Sequence, residues 1–292
     1  MMENKQGNLL VVDGMALLFR AFFATAVSKQ FMVNQHGVPT NGVQGFMKHL
    51  FTAIGQNDPS HTLICWDMGS KTFRNELYSG YKAERKAPPE ELIPQFDLAK
   101  EVAEAFGFIN VGVPGFEADD CIGTVTVQMA GTGIETTVLS GDKDLLQLVA
   151  PTNEVWILQK GYGNYKQYNE AVFAEEWGIT PQQFIDVKAL MGDTSDGYPG
   201  VRGIGEKTAL KLIQEYETID GILANVDQLK PGQQTKIKED LEMLRLSRQL
   251  AEIHTNVPLA FDIERCLYNG LVPEATDIVD QYGLKTLRRD IL

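Results

Sequence analysis

NLLVVDG, at residues 8–14, joins four consecutive apolar residues to an Asp-Gly pair that closes the run. A short uninterrupted apolar run is typical of a strand buried on both faces of a sheet. Similar runs follow at 62–67 (TLICWD), 108–111 and 136–140 (TTVLS). Helical patterns lie between them, at 42–54, 94–106 and 117–129. The alternation predicts an α/β fold with a mainly parallel central sheet covered by helices on both faces.

This alternation is interrupted at two places. The polar stretch 71–94 is basic in its first half and contains three prolines, so we expect a long excursion above the sheet. From residue 181 the pattern becomes mostly helical, with a glycine-rich stretch at 197–205 between two helices. We therefore predict an α/β domain at 1–180 and a helical subdomain at 181–292.

The composition excludes several classes of protein. The chain has 292 residues, 43% of them hydrophobic, and its longest apolar stretches are too short or too interrupted for a membrane span or a secretory leader. Its three cysteines and four histidines show no zinc-ligand spacing. We expect reduced thiols, a cytoplasmic location and a monomer.

Acidic residues outnumber basic ones, and the formal net charge is −13. This balance argues at first against a nucleic-acid partner, because phosphates are repelled by a negative surface. Nine of the 39 acidic residues, however, fall in a few short clusters. If bound cations neutralise those clusters, the remaining surface is only mildly acidic and can carry basic patches.

Nine carboxylates stand where predicted strands end or predicted helices begin and end. They are Asp13, Asp67, Glu117, Asp119, Asp120, Asp142, Asp144, Asp193 and Asp196. Each alone has an ordinary explanation, since acids favour first helical turns and Asp favours tight turns. Parallel strands, however, end at one edge, where crowded acids repel one another unless cations lie between them. Oxygen ligands without His or Cys favour Mg²⁺ or Mn²⁺, and two such ions are typical of phosphodiester hydrolysis.

Five motifs then point to one family: VVDGMALLFRAFF (11–23), EADD (117–120), SGDKD (140–144), MGDTSD (191–196) and PGVRGIGEKTA (199–209). Together they resemble the motifs of bacterial and phage 5′-nucleases. That family includes the N-terminal nuclease domain of DNA polymerase I and stand-alone flap endonucleases. The resemblance implies a PIN-like 5′-nuclease fold and metal-dependent cleavage of flapped or 5′-ended DNA, which leaves 5′-phosphate products.

The resemblance also implies a division of the acids between two metal ions. The first site would comprise Asp13, Asp67, Glu117, Asp119 and Asp120. Between the sites would lie Asp142 and Asp144, and the second ion would be held by Asp193 and Asp196. One departure is Gly197, where many relatives have Asn; we expect it to alter the loop and not the number of ligands.

The excursion at 71–94 interleaves basic and aromatic residues. A solvated loop is the ordinary interpretation of such a charge run, but cations with flat rings are also what a single-strand channel needs. GYKAER, at 80–85, resembles the helical arch of the family. The resemblance implies that Lys82 and Arg85 act in catalysis at the scissile phosphate, presented on one helical face, and that Tyr81 stacks on a base. We expect Arg74 to contact DNA as well.

The stretch 200–209 fits neither common nucleotide-binding loop. Glu206 stands where the phosphate-binding loop needs Lys, and Thr208 replaces the third glycine of GxGxxG.

A helix-hairpin-helix at 186–216 fits this stretch better. Gly203 and Gly205 permit a tight turn, and the following helix offers free amides with Lys207 and Lys211 on one face. Such a contact anchors duplex DNA without reading its sequence. In related proteins the hairpin carbonyls often hold a K⁺ ion, an option that stays open here.

Two rival functions also stay open. A PIN-type ribonuclease would share the fold and the acids, although such domains are usually shorter and lack the arch and the hairpin. A non-catalytic protein that binds branched DNA would use the same hairpin, although its acids would then repel phosphate. Left open are the choice among flaps, nicks, gaps and RNA primers, the balance of exonuclease and endonuclease action, and a polymerase partner. After residue 241 we expect only packing positions, at Leu244, Leu246 and Leu250.

Overall fold

A computed structural model describes residues 7–26 and 31–291. Its central sheet has six strands: β1 (Asn8–Asp13), β2 (His61–Cys65), β3 (Ile109–Val111), β4 (Glu135–Ser140), β5 (Asn153–Leu158) and β6 (Tyr165–Tyr168). The strand order is β3-β2-β1-β4-β5-β6, and all neighbours are parallel except β5 and β6. The predicted parallel sheet is confirmed. The hairpin of β5 and β6 was not predicted, and in β6 the polar pair Lys166 and Gln167 interrupts the apolar pattern.

Five helices accompany the first part of the sheet: α1 (Gly14–Thr25), α2 (Asn41–Asn57), α3 (Phe73–Leu77), α4 (Ile93–Ala105) and α5 (Ala118–Met129). Eight more follow: α6 (Glu170–Trp177), α7 (Pro181–Met191), α8 (Glu206–Tyr216), α9 (Ile219–Ala224), α10 (Pro231–Glu239), α11 (Leu241–Ala251), α12 (Ala275–Gln281) and α13 (Arg288–Ile291). The predicted helices at 42–54, 94–106 and 117–129 correspond to α2, α4 and α5.

Both faces of the sheet are covered, as the run of apolar residues in β1 requires. Leu9 and Val11 point toward α5, whereas Leu10 and Val12 point toward α1 and α2, and all four side chains are fully buried. Successive side chains of a strand point to opposite faces, so a strand between two helical layers needs apolar residues at every position.

The helical C-terminal part is joined to the sheet by a continuous core. Buried residues of α7, α8 and α11 belong to the same cluster as Leu9 and Val11. The last segment instead returns to the opposite face of the sheet, where α12, Leu284 and Leu287 pack with α2. The core of the part predicted as a helical subdomain, 181–292, is therefore continuous with the core of the α/β domain, and the boundary at residue 180 stays a prediction.

The structure also describes the cysteines and the apolar character of the helices. Cys65, Cys121 and Cys266 are buried and form no disulfide. Among the described helices, none has the length and apolar character needed to cross a membrane.

Burial of His49 on α2 makes stability depend on pH. Burial, assisted by the charge of Arg20, lowers the pKa of His49 to about 4. The unfolded chain, with an ordinary histidine, therefore takes up a proton at a higher pH than the folded chain does. Between pH 7 and 5.5 we expect this linkage to lower the free energy of unfolding by about 1 kcal/mol. Urea unfolding should show a smaller loss over this range in His49→Gln, and an equal loss in both proteins would contradict the prediction.

Candidate active site

The acidic rim begins where β1 runs into α1. Asp13 ends β1 and caps α1 by accepting a hydrogen bond from the Ala16 N–H (2.9 Å). Its other oxygen accepts a hydrogen bond from the Ser140 hydroxyl (2.6 Å), since β4 ends beside β1. Gly14 is required here, because a Cβ would lie 2.6 Å from ring atoms of Trp66. Ser140 was quoted within a motif but given no role, and it orients the Asp13 carboxylate.

The next carboxylates meet at the start of α5. Asp67, just after β2, accepts a hydrogen bond from the Ala118 N–H (2.7 Å). Glu117 is the residue before the helix, and Asp119 lies in its first turn. A helix N-terminus carries partial positive charge, which favours acids at this position. The first turn of α5 therefore brings its carboxylates to the same edge as Asp13 and Asp67.

Burial and mutual repulsion raise the pKa values of two of these acids. Burial raises the pKa of Asp13 to about 6, and the charges of Asp67 and Asp142 add to the rise. Burial also raises the pKa of Asp119 well above its ordinary value, with Asp13, Asp142 and Glu117 as further causes. These groups resist being charged together, so positive charge placed among them would stabilise the ionised forms.

A second group of acids surrounds Lys188. Its ammonium lies 2.7 Å from Asp144 and also contacts Asp193. Burial, together with the charge of Asp142, raises the pKa of Asp144 to about 7. Despite burial, Lys188 and backbone donors hold the pKa of Asp193 below its ordinary value. Lys188 was missed from the sequence, where it is the single basic residue on α7, five positions before Asp193.

The arch at 71–94 crosses above this rim, but between α3 and the start of α4 at Ile93 it contains no helix. Residues 79–84 form turns, and Lys82 has a positive φ of 53°. The Lys82 N–H donates a hydrogen bond to the Asp196 carbonyl (2.7 Å), which fixes this conformation. The prediction of a single helical face for Lys82 and Arg85 is therefore wrong. A Cβ on Gly197 would lie 2.6 Å from the Gly80 carbonyl oxygen, so glycine there lets the arch approach closely.

Both predicted arch cations nevertheless reach the acids. The Lys82 ammonium lies 2.7 Å from Glu117 and 3.9 Å from Asp196. The Arg85 guanidinium lies 2.7 Å from the other oxygen of Asp196. The structure thus brings these two cations to the carboxylate rim, although they do not lie on one helical face.

Tyr81 does not present its ring to a base in this conformation. It is 2% exposed, and its hydroxyl oxygen lies 3.1 Å from Glu117 and 3.0 Å from Asp196, so that its one proton can be donated to either carboxylate. Burial, with the charges of both acids, raises the pKa of the phenol. The predicted stacking role does not fit this position, since the ring fills the space between the arch and the rim.

Arg74 and Asp120 also differ from their predicted roles. Arg74 is 2% exposed and binds both oxygens of Asp120 at 2.8 Å. Asp120 also accepts hydrogen bonds from the backbone N–H groups of Glu117 (3.0 Å) and His254 (2.9 Å). DNA cannot reach this guanidinium, and both Asp120 oxygens are occupied by protein donors. The two residues form an internal pair behind the rim.

The glycine-rich hairpin links α7 and α8, as predicted. Gly205 caps α8 and is exposed, as are Lys207 and Lys211 on that helix. Gly203, with φ of 77°, accepts a hydrogen bond from the Lys236 ammonium (3.0 Å) at its carbonyl oxygen. Exposed glycine backbone and two lysines on one side give a surface that fits a phosphate chain.

The hairpin is supported from below by the start of α11. Arg202 donates to Asp240 through its backbone N–H (2.9 Å) and its guanidinium (2.8 Å). Gly200, with φ of 60°, could not hold a Cβ, which would lie 2.3 Å from the Gly192 nitrogen. The hairpin is therefore a rigid turn fixed to α10 and α11.

The carboxylate oxygens of the rim are suitable ligands for divalent cations, although basic side chains of the protein now lie among them. Within the described ranges, no three acidic, His or Cys side chains are arranged as a ready-made metal site. The ammonium of Lys188 and the arch cations instead lie between the carboxylates. Groups that draw cations in this way, and that offer only oxygen ligands, suit Mg²⁺ or Mn²⁺.

An acidic rim on a parallel sheet, a basic arch above it and a hairpin beside it define the class of 5′-nucleases. The chain belongs to the 5′–3′ exonuclease family. Residues 8–178 match the family's N-terminal resolvase-like domain, and residues 179–274 match its C-terminal SAM fold.

Curated relatives agree with this membership. The chain is 57% identical to a 5′–3′ exonuclease of Bacillus subtilis over 281 residues, which covers 96% of this chain and 95% of that protein. It is 38% identical to DNA polymerase I of Lactococcus lactis over 298 residues, which covers 34% of the polymerase. It thus spans nearly all of the first relative and about a third of the second.

Solved structures share the fold. The D15 protein of phage T5, co-crystallised with metal ions, has a TM-score of 0.70 at 23% identity and covers 97% of this chain. The catalytic core of Rad2 in complex with a DNA substrate has a TM-score of 0.58 at 13% identity, over 94% of this chain.

Proposed function

We propose that the chain is a structure-specific 5′-nuclease that hydrolyses DNA at junctions between a 5′ single strand and a duplex. The observation that carries the proposal is the meeting of Asp13, Asp67, Glu117, Asp119 and Asp142 at one edge under a basic arch. Membership of the exonuclease family supports the reaction, and the DNA-bound relatives of the same fold support the substrate. We propose 5′-phosphate products, with exonuclease and flap-endonuclease action at one site.

Two Mg²⁺ ions, with Mn²⁺ as a substitute, would be held by the carboxylates of the rim. When bound, they would activate the attacking water and stabilise charge on the phosphate and the leaving oxygen. One ion would be held by Asp13, Asp67, Glu117 and Asp119. The other ion would be held by Asp144, Asp193 and Asp196. Asp120 is left out of this ligand set because Arg74 occupies both of its oxygens.

The arch would act through its two cations. Lys82 and Arg85 would leave Glu117 and Asp196 for the scissile phosphate, where they offset the charge that develops during cleavage. In the absence of substrate these two side chains neutralise the acids of the rim. When substrate is bound, they would neutralise its phosphate instead.

The hairpin would hold the duplex, and its lysines allow a direct test. Lys207→Gln/Lys211→Gln should weaken flap binding and reduce the slope of log affinity against log salt by about 2. Fluorescence anisotropy between low and moderate salt measures that slope, with Lys285→Gln as the matched control outside the hairpin. An unchanged slope in the double variant would exclude the hairpin as the phosphate contact. We do not propose a K⁺ ion here, because the Lys236 ammonium already occupies the Gly203 carbonyl.

In the cell, we propose a cytoplasmic monomer that acts in primer removal or repair and also accepts RNA primers. Its similarity to about a third of DNA polymerase I supports functional partnership with a polymerase.

Cleavage of an end-labelled 5′-flap duplex tests the proposed function. Cutting near the junction with Mg²⁺, abolished by EDTA, is the expected result. Tight binding without cutting would favour the non-catalytic alternative, and cutting of RNA alone would favour a PIN-type ribonuclease.

A further inference from the structure

One guanidinium behind the rim joins three distant segments of the chain. Arg74, on α3, binds both oxygens of Asp120 on α5 at 2.8 Å. The same side chain donates to the carbonyls of Leu250 (3.0 Å) and Glu252 (2.8 Å), at the end of α11 and just after it. The Arg74 side chain therefore connects the arch with α5 and with the C-terminal part of the chain.

The segment 250–257, which we call the tether, has little regular structure and is held by side chains of its neighbours. Gln147 donates to the Ala251 carbonyl (3.1 Å) and accepts from the Ile253 N–H (2.9 Å). The Val257 N–H donates to the Thr124 hydroxyl on α5 (3.0 Å). A Cβ on Gly123 would lie 2.6 Å from Ile253, so the tether lies directly on α5.

Aromatic rings lie over the Arg74–Asp120 pair. The Phe73 ring centroid is 4.6 Å from the Arg74 guanidinium carbon, and Phe73 and Phe116 are 5.8 Å apart. His254 stacks on Phe116 at 5.5 Å. Exclusion of water strengthens the ion pair and makes the loss of either partner costly.

The tether also connects with the hairpin. It begins in the last turn of α11, and the residue before that helix, Asp240, binds Arg202 of the hairpin. The same end of the tether binds Arg74, whose guanidinium lies 3.8 Å from the Glu117 carboxylate. A physical path thus leads from the proposed duplex-binding surface to the carboxylates.

We propose that Arg74 is a positioning residue that makes the geometry of the acidic rim depend on the docking of the tether. Through Asp120 it fixes the first turn of α5, and with it Glu117 and Asp119. This inference rests on the proposed function, because it assigns those carboxylates to metal binding. It gives the segment after residue 241, which carries no sequence motif, a part in the activity.

Arg74→Lys provides the main test, since it keeps the charge but loses the two-pronged bond and the carbonyl contacts. We expect the single-turnover rate on a flap to fall about 10-fold to 100-fold, as for outer partners of metal ligands, with a matching rise in half-saturating Mg²⁺. Flap affinity in EDTA should change less than about twofold, because Arg74 does not touch DNA. Arg288→Lys is the matched control, as Arg288 pairs with Asp280 (3.0 Å) outside the tether and the rim.

Ile253→Ala gives a second variant that leaves the Arg74–Asp120 pair intact. It should raise half-saturating Mg²⁺ in the same direction by a smaller factor, because it removes the buried side chain with which the tether packs on Gly123 of α5. Mn²⁺ affinity measured by calorimetry reports the rim without any cleavage, so it separates this inference from failure of the proposed function. A folded Arg74→Lys protein with unchanged Mn²⁺ affinity and Mg²⁺ requirement would overturn the inference. A loss confined to flap affinity would instead make Arg74 a DNA contact.

Discussion

Asp119→Asn is expected to lower flap cleavage on the order of 1,000-fold, because it removes one charged oxygen ligand from the centre of the rim and several kcal/mol of transition-state stabilisation. The carboxylate lies in the first turn of α5 and interacts electrostatically with Asp13, Asp142 and Glu117. Asparagine is nearly isosteric, so the fold should persist. Single-turnover cleavage of an end-labelled flap measures the loss.

Metal affinity is the second property to measure in Asp119→Asn. Mn²⁺ affinity by calorimetry should fall at least about 10-fold, since even outer partners of metal ligands contribute that much. Asp97→Asn, an exposed acid on α4, is the matched control and should keep both properties. Full cleavage by Asp119→Asn would remove Asp119 from the ligand set.

Lys82→Ala is expected to lower turnover about 100-fold, the usual cost of removing one donor that acts on developing charge. Its ammonium is held over the rim by Glu117, 2.7 Å away, while its backbone is fixed by the Asp196 carbonyl. Flap affinity should change little, because many other phosphate contacts remain.

Lys86→Ala, an exposed lysine on the same arch, serves as the control for this loss. Turnover and anisotropy should be measured on the same flap with both variants. An equal rate for Lys82→Ala and wild type would exclude the catalytic role, and a purely affinity-based loss would make Lys82 an ordinary phosphate contact.

The sheet was predictable from sequence because its signal is local. A strand covered on both faces must be apolar at consecutive positions, and the six residues NLLVVD show this pattern. The motifs also placed the acids at strand ends and first helical turns, where the topology brings Asp13, Asp67 and Asp119 together. The packing positions predicted after residue 241 are confirmed, since Leu244 and Leu250 are buried and the half-buried Leu246 packs against the cluster that contains Leu250.

The pairings within the site could not be predicted, because they join residues far apart in the chain. Arg74 looked like one more cation of a basic run, yet its partners lie 46 and 176 positions away. Tyr81 looked like a free ring and is buried under the arch. Lys188 is the single basic residue of α7 in the sequence, and only the folded structure places it between Asp144 and Asp193.

The sequence by itself determined the parallel sheet, the set of acids and the family, since each depends on residue types at fixed local spacing. Only the tertiary structure decided which charges neutralise each other and how the chain's end supports the rim. Local spacing limits which faces and strand ends residues occupy, whereas the partner of a buried charge depends on segments that meet only after folding.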